Sequence, residues 1–260
     1  QGWIHGLAPA LLEVMGPRYT GSRGCLCGAG CTVVTMDLSA TPPASGNVSA
    51  ASDTMRRYAS GRQYELRRGD ALAVVTELAA GLRLYSRAGT ALTETYGDAD
   101  IAPGATGITL APWANRVEDG VWHLNGKKLQ LDITEVSRNN ASHGLLRNSS
   151  YELVDEDEFS VTLEAAVFPQ HGYPFLLRHR VRYELAEDLG LVVRQTLIND
   201  SQDRAPFVLG AHPYLRLGDV PSEDLTVSVD ARTRLVADER LIPRSSEPVS
   251  GDFDLRGGRP

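Results

Sequence analysis

Residues 177–185, LRHRVRYEL, alternate without a break, and a strict two-residue period leaves few folds open. Leu177, His179, Val181, Tyr183 and Leu185 fall on one side of an extended chain; Arg178, Arg180, Arg182 and Glu184 fall on the other. A helix would scatter both sets around its axis, whereas a strand separates them. One apolar face and one charged face describe a half-buried strand, the usual state of an antiparallel sheet covered on one side. The same alternation places Phe159, Val161 and Leu163 together, then Leu189, Leu191 and Val193, then Leu225, Val227 and Val229. Turn residues punctuate these runs: Asn125-Gly126, Asp188-Leu189-Gly190 and Gly218-Asp219. After residue 61 no long amphipathic helical period occurs, and no internal repeat is visible. Many short strands with regular turns predict an all-β sandwich or barrel.

The chain before that point reads differently. Residues 36–60 are rich in Ser, Ala, Thr, Pro and Gly. Such a stretch buries little apolar area, so 1–60 is expected to be an appendage of linker character and 61–260 the folded body. Met55, just upstream of the body, is a candidate start. All three cysteines, Cys25, Cys27 and Cys31, lie in the appendage within one short run. Without a fourth Cys or His nearby they do not make a tetrahedral metal site. A body without cysteine excludes a disulfide framework and suits a reducing cytoplasm. Residues 3–15 are mildly apolar but carry His5 and Glu13 and lack a basic leader, so a signal peptide is not expected. The chain has 260 residues, 42% of them hydrophobic, and a net charge of −7. That charge argues against a nucleic-acid or anionic-membrane surface, both of which need clustered positive charge. No stretch reaches the roughly 18 apolar residues of a membrane-spanning helix.

Three segments interrupt the alternation with clustered polar and turn residues. They are Leu110–Arg116 with the following Val117–Gly120, Asn139–Gly144, and Ala205–Leu215. Each offers a planar donor or a titratable imidazole, the groups that suit a hydroxyl-rich ligand. The chain has six histidines. His143 and His212 lie in these segments. His179 sits on the apolar face of a strand and reads as a hydrogen-bonded core residue. His123 belongs to a strand and reads as structural, while His171 is a candidate for a pocket rim. An ordinary ion pair is the simpler reading of Arg116. From the residues alone the reading stops at a β-sandwich with a polar pocket.

The order PWANR followed by DG, then Asn-x-x-His-Gly, HGYPF and APF-x-LGAHPYL resembles the aldose 1-epimerase (sugar mutarotase) family. The resemblance runs from about residue 61 to 260, including the tail from Asp238 to Arg256. It implies a large antiparallel β-sandwich. It also implies that Asn115 and Arg116 bind sugar hydroxyls and that His143 contacts the sugar near its ring oxygen. By the same resemblance His212 is the general acid, with Tyr214 beside it. The implied reaction opens the hemiacetal of a free hexose such as glucose or galactose and recloses it as the other anomer. One proton leaves the C1 hydroxyl and one reaches the ring oxygen. A histidine with an ordinary pKa of ~6.5 can supply the latter near neutral pH, and each positioned acid or base contributes ~100- to 10,000-fold. No metal and no other cofactor is required, and the partner is a small-molecule sugar.

The family's general base, a late glutamate, has no counterpart here, nor does a late sugar-binding aspartate. Glu118, Glu135, Glu239 and Glu247 do not match the base's motif. The expectation is therefore that the sequence stops before the last strands and is a poor catalyst as it stands. Two alternatives remain. A hexose-6-phosphate epimerase would need extra basic residues facing the pocket, for which Arg178, Arg180 and Arg182 are candidates, although a solvated stripe suits them better. A sugar-binding protein without turnover would keep the pocket and lack the base.

Overall fold

The computed structural model describes residues 58–188 and 190–259. The expected lead-in, with His5, the three cysteines and Met55, lies outside the described residues, as does Leu189. Among the described residues sixteen strands follow one another: β1 (Gln63–Arg68), β2 (Ala71–Thr76), β3 (Leu82–Arg87), β4 (Thr90–Ala91), β5 (Thr109–Leu110), β6 (Arg116–Glu118), β7 (Val121–Leu124), β8 (Lys127–Gln130), β9 (Asn140–Ser142), β10 (Glu152–Glu156), β11 (Ser160–Val167), β12 (Leu177–Ala186), β13 (Gly190–Asn199), β14 (Gly210–Ala211), β15 (Thr233–Ala237) and β16 (Pro243–Pro248). The helical pieces among the described residues are three-residue 3-10 turns. No helix of the described residues is long and apolar enough to cross a membrane.

Two four-stranded antiparallel sheets, β1-β2-β3-β4 and β10-β11-β12-β13, form the body of the sandwich. The first contributes Tyr64, Leu66, Ala73 and Val75 to a common core, and the second contributes Val161, Leu163, Val181 and Tyr183. Each large apolar side chain buried there stabilises the fold by roughly 1.5–3 kcal/mol. Tyr183 also spans the layers through its hydroxyl, which donates to the Ala80 carbonyl at 2.6 Å.

The alternation of β12 is realised in full: every second residue from Leu177 to Leu185 is buried. His179 is entirely buried among them. The Gln195 side-chain amide donates to the Gly210 carbonyl, which turns its oxygen towards His179 Nε2 at 3.0 Å. Nε2 therefore carries the proton, and Nδ1 accepts from the Tyr151 hydroxyl at 2.7 Å. On the opposite face the arginines are paired with carboxylates. Arg178 meets Asp200 and Glu164, Arg180 meets Glu164, and Arg182 meets Asp155, Asp157 and Glu184.

Asn125 and Gly126 both adopt positive φ, 50° and 77°, and turn β7 into β8. That is the tight hairpin their pairing predicts. Two expectations need correction. β11 is buried on both faces from Ser160 to Leu163, so alternation understates its burial, and Phe159 precedes it. Residues 225–229 form no strand. Val227 makes only an isolated bridge to Arg259 and is 48% exposed. Alternation prepares a segment for a sheet but does not supply the neighbour that makes it a strand.

Candidate active site

The site is built around one stretch of main chain from Thr109 to Glu118. At one end β5 pairs with β14, Leu110 opposite Gly210 and Thr109 opposite Ala211. At the other end β6 pairs with β9, Arg116 opposite Ser142 and Glu118 opposite Asn140. The first polar segment thus holds the other two. Both pairings extend by one more bond: His143 N donates to Asn115 O at 2.8 Å, and His212 N to Ile108 O at 2.9 Å. Asn115 and His143 adopt left-handed φ of 59° and 63°, and both residue types enter that region more readily than most.

The glycine after His143 has a definite cause. Gly144 has φ of 78°, and a Cβ there would lie 2.1 Å from the Ala111 carbonyl oxygen. The two main chains touch at this point, and the N–H groups of Leu145 and Leu146 both donate to the Ala111 carbonyl. Only a residue without a side chain permits that approach.

These backbone contacts bring the two imidazoles together. The rings of His143 and His212 stand edge to face with centroids 5.4 Å apart. Tyr214 packs against His212 at 5.0 Å and donates its hydroxyl to the Gly104 carbonyl. Asn115 is the neighbour of Arg116, whose Nη1 donates to the Asn115 side-chain oxygen at 2.9 Å. Arg116 also meets the Glu135 carboxylate side-on, Nε at 2.7 Å and Nη2 at 2.9 Å. The Arg116 guanidinium, with further hydrogen bonds from Asn140 and Arg138, holds the Glu135 carboxyl down at about 2. Glu135 is charged at neutral pH and, with its pKa held so low, only a weak base.

Burial, helped by the neighbouring His212, Arg147 and Arg116, lowers the His143 pKa to about 4. Its imidazole is neutral near pH 7, and its Nδ1 has no hydrogen-bond partner among the described residues. The site thus combines a neutral imidazole, a second imidazole, an amide and a guanidinium, which can hydrogen-bond hydroxyls and move a proton. No cluster of three or more metal-ligating side chains exists among the described residues.

The remaining histidines stand elsewhere. His123 is exposed on β7. His171 bonds Asp132 at 2.8 Å. Asp132 lines a cavity of about 370 Å³ with Trp113, Thr134, Gly144, Arg147 and Gln170. His171, His143 and His212 are not in that wall, although Gly144, next to His143, is, and His171 reaches it only through Asp132. Two participants escaped the sequence reading. Arg147 lies four residues beyond His143 and adds positive charge beside it. Glu135 is the partner of Arg116, and only the Asn139-Asn140 segment returning past it hints at the contact.

Comparison with known proteins gives a consistent picture. The family model described as aldose 1-epimerase matches residues 64–260. An uncharacterized protein of Escherichia coli K12, YihR, is 31% identical over 198 residues, spanning 76% of this chain and 64% of that protein. Among solved structures, a GalM/aldose epimerase homologue from C. elegans superposes with a TM-score of 0.67 at 19% identity, covering 76% of this chain and 65% of that one. A galactose 1-epimerase from Lactobacillus acidophilus gives 0.66 at 23% identity, covering 79% and 64%. The chain spans a little under two thirds of the length of each of these relatives. The structural likenesses show the galactose mutarotase-like sandwich, and with the family match over most of its length the chain belongs to the aldose 1-epimerase family.

Proposed function

We propose that this protein is an aldose 1-epimerase that interconverts the anomers of a free hexose, galactose or glucose, by acid–base ring opening. The observation that carries the reading is the approach of His143 and His212 to 5.4 Å beside Arg116, from segments far apart in sequence. In this reading His212, as imidazolium, gives its proton to the ring oxygen while a base removes the C1 hydroxyl proton. The bond from C1 to the ring oxygen breaks and C1 becomes an aldehyde. Rotation about C1–C2 and reversal of both proton transfers give the other anomer. Neutral His143 contacts the sugar near its ring oxygen, and Asn115 and Arg116 hold hydroxyls with Tyr214 alongside. Glu135 does not serve as that base, since it is saturated with N–H donors. A free sugar suits the site better than a phosphorylated one, because the β12 arginines are already paired with carboxylates. The cysteine-free body favours the cytoplasm as its compartment.

Polarimetry on freshly dissolved α-galactose or α-glucose tests the reading, with this chain and a C-terminally extended one compared side by side. His212→Ala should slow ring opening by about 10²–10⁴-fold and leave sugar affinity nearly unchanged, because a proton donor acts in the transition state. An unaltered rate in that variant sinks the assignment. Saturable sugar binding without turnover in both forms would make the protein a sugar binder instead.

A further inference from the structure

We propose that Glu135 is a positioning residue, fixing the Arg116 guanidinium so that its outer N–H edge stays presented to the sugar, and that Asn140 and Arg240 hold Glu135 in turn. The proposal rests on the reading of Arg116 as a hydroxyl-binding group.

A long arginine side chain binds a neutral hydroxyl weakly unless it is ordered beforehand. Here the ordering is visible. Of the five N–H bonds of a guanidinium, Arg116 commits three, two to Glu135 and one to Asn115. The two that remain lie one on each terminal nitrogen. The Arg116 and Glu135 side chains are each only 16% exposed, so the pair is not a loose surface contact. Glu135 is equally committed. Its Oε2 accepts from Arg116 Nε and Asn140 Nδ2, and its Oε1 from Arg116 Nη2 and Arg138 Nη1. Four donors fill the lone pairs of a carboxylate, which leaves it a geometric role and no chemical one.

The next link is Asn140, fully buried and opposite Glu118 in the β6–β9 pair. Its amide also donates to the Arg240 carbonyl at 3.0 Å, and its oxygen accepts from Arg240 Nη2 at 3.3 Å. Arg240 is anchored by Asp119 at 2.7 Å and by the carbonyls of Arg138 and Asn139. A segment 100 residues away from Asn140 is thereby tied to the orientation of Arg116. Such a chain, in which the Glu135 carboxylate and the Asn140 amide are fully engaged, rigidifies the group at its end.

The test uses the 260-residue chain with D-galactose as probe, reading the dissociation constant by calorimetry and the His143 titration by NMR. Glu135→Gln should weaken binding about tenfold, the scale of one well-placed charged hydrogen-bond pair. Arg116→Ala should weaken it at least as much. The double variant should bind no more weakly than Arg116→Ala alone, because Glu135 acts through Arg116. Removing the Glu135 charge should also move the His143 titration to lower pH, since that carboxylate raises it, whereas Arg116→Ala should move it up. If Glu135→Gln does not stay folded, Glu135→Asp, which keeps the charge but withdraws it by one methylene, takes its place in the same cycle.

Weak binding by Arg116→Ala with normal binding by the Glu135 variant overturns the positioning role and leaves the sugar site standing. A double variant weaker than Arg116→Ala shows that Glu135 acts elsewhere and also overturns it. Normal binding by both single variants, or no aldose binding by the parent chain, removes the sugar-binding reading and the positioning role together.

Discussion

His179 and His143 share a direction of titration and little else. Burial holds each near a pKa of about 4, so both are neutral at pH 7. His179 has both ring nitrogens engaged, by Tyr151 and Gln195, inside the sandwich. His143 is half-buried at the meeting of two main chains, with Nδ1 unpartnered among the described residues and a second imidazole facing its ring. A lowered pKa therefore does not by itself mark a functional histidine. The informative difference is whether the protein has already used the ring's hydrogen-bonding capacity. Where it has, the residue specifies the core; where it has not, capacity remains for a ligand.

The largest expected consequence lies in stability. His179→Leu should cost about 3 kcal/mol, because it removes the acceptor of the Tyr151 hydroxyl and the donor to the Gln195 side-chain oxygen in the interior, at roughly 1–3 kcal/mol each. His143→Ala should cost less than about 1 kcal/mol on the same scale, as nothing depends on its Nδ1. Urea unfolding of the two variants measures both. Equal losses would erase the distinction.

A pH series sharpens the comparison. Both histidines titrate lower in the folded state than in the unfolded chain, so between about pH 6.5 and 4 the unfolded state binds more protons. Stability must fall as pH falls through that window, and it is unaffected by these groups above it. For fully buried His179 the loss is on the order of 3 kcal/mol by pH 4; half-buried His143 should contribute less. Unfolding curves at pH 7, 5 and 4 should show the slope, and His179→Leu should remove most of it. A slope that persists undiminished in that variant would assign it to other groups.

The smallest effect separates the two rings most cleanly. Saturating galactose should displace the His143 titration by a few tenths of a pH unit, on the order of less than 1 kcal/mol, and leave that of His179 where it is. NMR of the ring protons reads both at once. Movement of both rings, or of neither, would break the comparison.

Much of the sandwich was legible because β12 buries one side only, and period two is the direct imprint of that arrangement. The buried His179 and the Asn125-Gly126 hairpin followed from the same local rules. β11 was less legible, since a strand covered on both faces loses its alternation. The roles proposed for His143, His212, Asn115, Arg116 and Tyr214 came from motif resemblance; no local rule would have supplied them. Their convergence depends on β5 meeting β14, a pairing across about a hundred residues, and such contacts leave no local trace. The role of Glu135 was hidden for the same reason: only the Asn139-Asn140 segment hints at its contact with an arginine 19 positions earlier.

The contact between Gly144 and the Ala111 carbonyl bears on how such a site tolerates sequence drift. The spacing of the two imidazoles is set where main chain meets main chain, without a side chain as spacer. Core residues such as Val161 or Leu163 can be exchanged for others of similar volume while that spacing persists. A single methyl group at Gly144 would force the segment bearing His143 away from the one that also carries β5, and through β5 disturb the seat of His212. Divergent relatives can therefore keep one site geometry with few residues in common, provided this one position never acquires a side chain.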